Sequence, residues 1–114
     1  MTLRRYTVRW TEQATEDLES IAMFIARRSP ATARRVVAKL EARASRLSTL
    51  PPRGRVVPEL ESFGIHEWRE LIETPYRIVY ATSGRQVNVL AVLDGRRDLQ
   101  DELLLRLVRS RGDG

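Results

Sequence analysis

The sequence predicts an α+β fold: a helical hairpin packed on one face of a mostly antiparallel four-stranded sheet, in the order β-α-α-β-β-β-α. Three observations predict it. Two apolar stripes with helical spacing run through the first half, divided by Ser29-Pro30. Three runs rich in β-branched and aromatic residues fill most of the second half, separated by gaps of turn length. A short alternating run precedes the helices, and a helical hairpin is long enough to carry it across one sheet face into parallel pairing with a later strand.

The first strand is expected from Arg5 to Trp10, in RRYTVRW. Thr11 follows as an N-cap, with Glu12, Glu16 and Asp17 near the positive end of the helix dipole. Ala14, Leu18, Ile21, Ala22 and Ile25 form the first stripe. Ser29 then caps a second helix whose first position is Pro30, where the missing N–H costs nothing. Ala33, Val36, Val37, Leu40, Ala44 and Leu47 form its stripe, and Pro51-Pro52 stops it. So tight a connection makes the two helices antiparallel neighbours.

RGRVVPELESFG reads as a loop with short extended pieces. HEWRELIE, YRIVYAT and QVNVLAVL are the three later strands. In YRIVYAT, Tyr76, Ile78 and Tyr80 share one face and Arg77 and Val79 the other. QVNVLAVL is apolar on both faces, the mark of a central strand. Thr74-Pro75 and Ser83-Gly84-Arg85 suit hairpin turns. A last helix is expected from Asp98 to about Arg109, with the second sheet face either open or partly covered by it, and SRGDG to fray. The organisation is a single domain over residues 1–110 with a frayed tail, 111–114.

Composition narrows the function classes. No run approaches the ~18 apolar residues of a membrane span. The opening MTLRRYTVRW has no apolar core of the signal-peptide kind, and a cytoplasmic location is expected. The absence of cysteine excludes disulfides and thiolate metal sites. Net charge is +5, and all but one of the 20 basic residues are arginine. The excess lies in residues 1–52, which hold ten basic and five acidic residues. It does not gather around the arginine-rich strands, and it suits an acidic protein partner as well as a nucleic acid.

No glycine-rich phosphate loop and no Ser-His-Asp set is present, and no cofactor is expected. His66 is the single imidazole; with Glu59, Glu61 and Glu67 beside it, it reads as a solvated loop, and no metal is expected. The arginines of the strands are the candidates for chemistry. Arg69, Arg77, Arg96 and Arg97 lie on or at the ends of consecutive strands, with Arg69 and Arg77 expected on one face and the pair at its edge. Such a cluster can hold phosphate. Equally, Glu67, Glu70, Glu73, Asp94 and Asp98 can neutralise it, and internal pairing is the favoured expectation. Of the adjacent pair, Arg97 is expected to anchor the loop through Asp98 or Asp94, leaving Arg96 to face a partner. Arg35, Lys39, Arg43 and Arg46 form a basic stripe on the second helix, either a solvated face or a docking rail for an acidic segment. Arg111-Gly112-Asp113 is a chance tripeptide.

Taken together, GRVVPEL, WREL and YRIVYATSGRQVNVLAVLDGRRDL resemble the RelE/ParE superfamily of type II toxins, from about Tyr6 to Leu107. The resemblance implies a small cytosolic toxin bound by an antitoxin in a hetero-oligomer. It further implies antitoxin contact along the hairpin, for which Ile21, Ile25, Arg35, Lys39, Arg43 and Arg46 are the expected residues. The superfamily divides by target, into ribosome-dependent mRNA endonucleases and ParE-like inhibitors of DNA gyrase. Arg77 and Arg97 match arginines of the ribonuclease site, and Glu70 is the available base. Yet Leu103 stands where a catalytic tyrosine is expected, and Trp68-Arg69-Glu70 where the ribonucleases place lysines. Asp94 replaces a histidine common before the paired arginines. Arginine stays protonated and cannot serve as the acid. The resemblance therefore implies a ParE-like gyrase inhibitor using Arg69, Arg77, Arg96 and Arg97 on its target, with the mRNA endonuclease as the alternative.

Overall fold

The computed structural model describes residues 5–49 and 54–112. Strand β1 (Thr7–Trp10) leads directly into helix α1 (Glu12–Ala26). Thr11 makes that junction rigid: its Oγ1 accepts from the Ala14 N–H and donates to the Val89 carbonyl. The helix cap is therefore bonded to a strand 78 residues away. Helix α2 (Pro30–Ser45) starts on a Ser29 cap that accepts from the Thr32 N–H, and runs into a short 3-10 turn, Arg46–Ser48. The helical path thus ends before Pro51-Pro52, which lie outside the described residues.

The segment expected to be a loop carries two regular pieces. Strand β2 (Arg55–Val56) pairs antiparallel with β3 (Trp68–Glu73), and the one-turn helix α3 (Pro58–Glu61) begins with proline at its first position. The sheet therefore has five strands rather than four. Strands β4 (Tyr76–Ser83) and β5 (Gln86–Asp94) complete the order β1-β5-β4-β3-β2, with β1 parallel to β5 and every other pair antiparallel. Gly84, at φ +58°, opens the two-residue turn between β4 and β5, a position that favours glycine. Helix α4 (Gln100–Gly112) extends past Arg109, so Ser110 to Gly112 are helical rather than frayed.

Both sheet faces are covered. Ala14, Leu18, Leu40, Ala44 and Leu47 of the hairpin pack on Leu71, Ile78, Tyr80, Val87, Val89 and Val92. On the opposite face, Leu99, Leu103 and Leu107 pack with Val57, Leu60, Trp68, Val79, Ala91 and Leu93. Strand β5 serves both cores because it is apolar on both faces, and a bulge shifts its alternation midway. Val79 pairs with Ala91 and Tyr80 with Val89, so Leu90 is an extra residue. The side-chain alternation switches there, and both Val89 and Val92 face the hairpin.

Candidate functional site

The edge of the sheet around β2, β3 and β4 brings together most of the charge that the sequence singles out. Arg77 points to the α4 face of β4, away from the Ile78–Tyr80 side. Its Nε donates to Glu70 Oε1 at 2.6 Å. Its Nη1 and Nη2 donate to the two carboxylate oxygens of Glu59, at 2.6 and 2.7 Å, a two-pronged pair. The other oxygen of Glu70 accepts from Arg55 Nε at 2.6 Å. Glu70 is 1% exposed and sits between two guanidinium groups; Arg77 is nearly as buried. The Glu59 carboxyl is held below its ordinary range chiefly by the Arg77 hydrogen bonds, and the Arg77 guanidinium is stabilised in its charged form by the same carboxylates. This Arg55–Glu70–Arg77–Glu59 chain is a satisfied charge network.

Local sequence explains each position. Pro58 starts α3, and its first turn presents Glu59. The β2–β3 pairing sets Arg55 opposite Glu70. Gly54 allows the close approach of this edge, because a Cβ there would lie 2.5 Å from both the Glu70 carbonyl and the Tyr80 hydroxyl. The Gly54 N–H instead donates to that hydroxyl at 2.8 Å.

The register corrects the expected arginine cluster. Arg69 pairs with Tyr80, whereas Arg77 pairs with Ile72, so Arg69 and Arg77 lie on opposite faces. Arg69 Nη1 donates to the Gly54 carbonyl at 2.8 Å. The roles expected of the adjacent pair are also exchanged. Arg96 holds the loop, with Nε and Nη2 on the two Asp94 carboxylate oxygens at 2.9 and 2.7 Å. That bond, joined by the Arg96 N–H, lowers the Asp94 pKa from an ordinary 3.8 to about 2. The Arg97 side chain makes no hydrogen bond or ion pair among the described residues and is exposed beside Ile21 and Asp98. The physical reason is chain direction: Arg96 folds back over its own turn, while Arg97 lies toward α1. Arg55, Arg77 and Arg96 together line an open cleft of about 340 Å³ with Ile72, Pro75 and Gly95. Each of the three arginines already has a carboxylate partner.

Other residues fall as follows. His66 is exposed. Among the described residues, no group of three or more histidine and acidic side chains is placed to hold a metal. Leu103 is 0% exposed, inside the α4-side core. Ile21 is half-buried against the hairpin core, and Ile25 is half-buried beside Arg28 and Thr32. Lys39 and Arg43 lie 3.7 and 3.8 Å from Glu73 on β3, Arg35 donates to Thr32, and Arg46 falls in the turn after α2 rather than in the helix.

The pairings of Arg55, Glu59 and Arg106 were not anticipated. Glu59, first read as part of a solvated loop, is the two-pronged partner of Arg77; proline at a helix start was the available signal. Arg106 interrupts the apolar face of α4 and is buried. It donates to Asp17 at 2.6 and 3.0 Å and to Glu102 at 2.9 Å, and Asp17 also accepts from the Val92 N–H. A charge placed between Leu103 and Leu107 was the sign that a counter-ion must face it.

The family model described as the ParE toxin of type II toxin-antitoxin system, parDE, matches residues 8–99. The chain belongs to that family of toxins. Among solved structures it is similar to a chain of the chromosomal ParDE toxin–antitoxin system from P. aeruginosa, at 19% identity and a TM-score of 0.65, covering 80% of this chain and 97% of that one. It is also similar to a chain of the toxin–antitoxin complex RelBE2 from Mycobacterium tuberculosis, at 26% identity and a TM-score of 0.59, covering 82% and 94%. No curated protein matches.

Proposed function

We propose that this ParE-type toxin inhibits DNA gyrase by protein–protein contact, in the cytoplasm, and that a cognate antitoxin binds it along the helical hairpin. The observation that carries the gyrase reading is the Arg55–Glu70–Arg77–Glu59 network. Two-step proton transfer in RNA scission needs a free base and an acid. Here the two carboxylates nearest Arg77 are its counter-ions, and Glu59, whose carboxyl Arg77 holds below its ordinary range, is a weak base. Leu103, buried in the core, offers no proton donor. Surface arginines such as Arg96 and Arg97 are suited to docking on a protein.

The family membership and the two toxin–antitoxin neighbours support an antitoxin partner. Ile21, Ile25, Arg35, Lys39, Arg43 and Arg46 are its proposed contacts. Lys39 and Arg43 would exchange their long contacts to Glu73 for the antitoxin's carboxylates. One observation favours a second reading, an mRNA endonuclease on the ribosome using Arg77, Arg97 and Glu70: the 26% identical neighbour comes from a RelBE2 complex. A gyrase supercoiling assay with the purified chain tests the first reading. Relaxed plasmid should stay relaxed as toxin is added, and antitoxin should restore supercoiling. Undiminished supercoiling at a large excess of folded toxin contradicts it.

A further inference from the structure

Helices α1 and α4 meet at the Asp17–Arg106 pair, and a cavity lies on each side of that bridge. One is lined by the exposed Arg97, a proposed contact to the target. The other, of about 450 Å³, opens between the first turn of α1 and the last turns of α4, and no residue of the Arg77 network lines it. Its floor is Trp68 and Leu90, the extra residue of the β5 bulge. Trp68 is 5% exposed, yet its indole N–H makes no hydrogen bond among the described residues. Among those residues no fully buried side-chain nitrogen lacks a partner, so this N–H is not sealed in the core and opens on the cavity that the ring lines. Gln13, half-buried on the wall, also makes no side-chain hydrogen bond there. At the mouth, Glu12, Glu16 and Arg109 are exposed and form no ion pair among the described residues.

These groups select the occupant. A phosphate or an acidic segment would meet two carboxylates, which disfavours it. A bare cation would satisfy Glu12 and Glu16 but leave the indole N–H and Arg109, both donors only, without acceptors. A peptide segment carrying a lysine or arginine answers all of them. Its charged head fits between Glu12 and Glu16, which stand one helical turn apart. Its methylene stem fits over Leu90 and Trp68. Its main-chain carbonyls accept from Trp68, Gln13 and Arg109. An enzyme that holds DNA must present such basic side chains to the phosphates.

We propose that this cavity receives a basic side chain from the DNA-holding surface of gyrase, with Trp68 donating to the main chain beside it. The inference rests on the gyrase reading and extends its docking surface across the Asp17–Arg106 bridge from Arg97. Supercoiling inhibition by purified full-length variants tests it, with circular dichroism as a folding control. Glu12→Lys and Glu16→Lys should each raise the toxin concentration for half-inhibition by about tenfold, because each sets like charges face to face. Trp68→Phe keeps a ring and removes the N–H, and should raise it by about fivefold. Glu61→Lys makes the same change of charge at an exposed position on α3 outside the cavity, and should inhibit like the wild type. If the wild type inhibits and the Glu12, Glu16 or Trp68 variants inhibit equally well, this inference is overturned while the gyrase reading stands. Equal losses in Glu16→Lys and Glu61→Lys would trace the effect to overall charge and overturn it too. So would Glu12 and Glu16 reversals that still inhibit but no longer respond to antitoxin, which would give the cavity to the antitoxin. A folded wild type that leaves supercoiling undiminished removes the gyrase reading and this inference with it.

Discussion

Glu70 is the residue on which the site turns. It was legible as an acid interleaved with arginines, and internal pairing was the favoured expectation. What could not be read was which arginines it serves, because that depends on the β2–β3 register and on Gly54 letting that edge close. Removing it leaves the exposed Arg55 without its carboxylate partner and the buried Arg77 with Glu59 alone. Leaving a buried charge unpaired costs about 3–5 kcal/mol; because Arg77 keeps Glu59, Glu70→Ala should lower stability by about 2–3 kcal/mol in urea denaturation. A loss under ~1 kcal/mol would mean the network is not a structural unit. Asp94 gives a pH signature of its own. Its folded pKa is depressed to about 2 from 3.8, so its contribution is full above 3.8 and is lost as pH falls toward 2. Acid titration of wild type and Asp94→Asn should show a stability difference that is constant near neutrality and disappears across that window. A difference that persists to pH 2 contradicts the Arg96 contact. The exchange of roles between Arg96 and Arg97 was beyond the sequence, since both have an aspartate within three positions.

At the scale of elements, helix caps and stripes were the most legible features. Thr11, Ser29 and Pro30 stand where capping chemistry requires, and the two apolar stripes became one core. The edge strand β2 was missed as a strand because two residues show no alternation, and pairing alone defines it. The attachment of α4 was legible only in its leucines. Their contacts hold it to the sheet, but Asp17–Arg106 fixes its position against α1 and β5. Asp17→Ala should cost about 3 kcal/mol, since it leaves the buried Arg106 with Glu102 alone and the Val92 N–H without its carboxylate. Hydrogen exchange should show α4 amides losing protection ahead of β4. Uniform loss across the molecule would show that α4 has no separate attachment.

For the whole molecule, charge sets the division of labour. The net +5 is distributed over helix α2, a carboxylate-matched cleft and the exposed Arg97, rather than gathered as a continuous track for nucleic acid. The parallel β1–β5 crossover was legible from element order. The splitting of Arg69 and Arg77 between two faces was not, because parity along β3 and β4 counts only once the register is known. On the gyrase reading, Arg77 is a structural cation rather than a catalytic one. Primer extension on messenger RNA after adding purified toxin to a translating extract tests this most directly. Intact transcripts, with wild-type and Arg77→Ala proteins indistinguishable, are the expected result; codon-specific cuts that disappear with Arg77→Ala would contradict it.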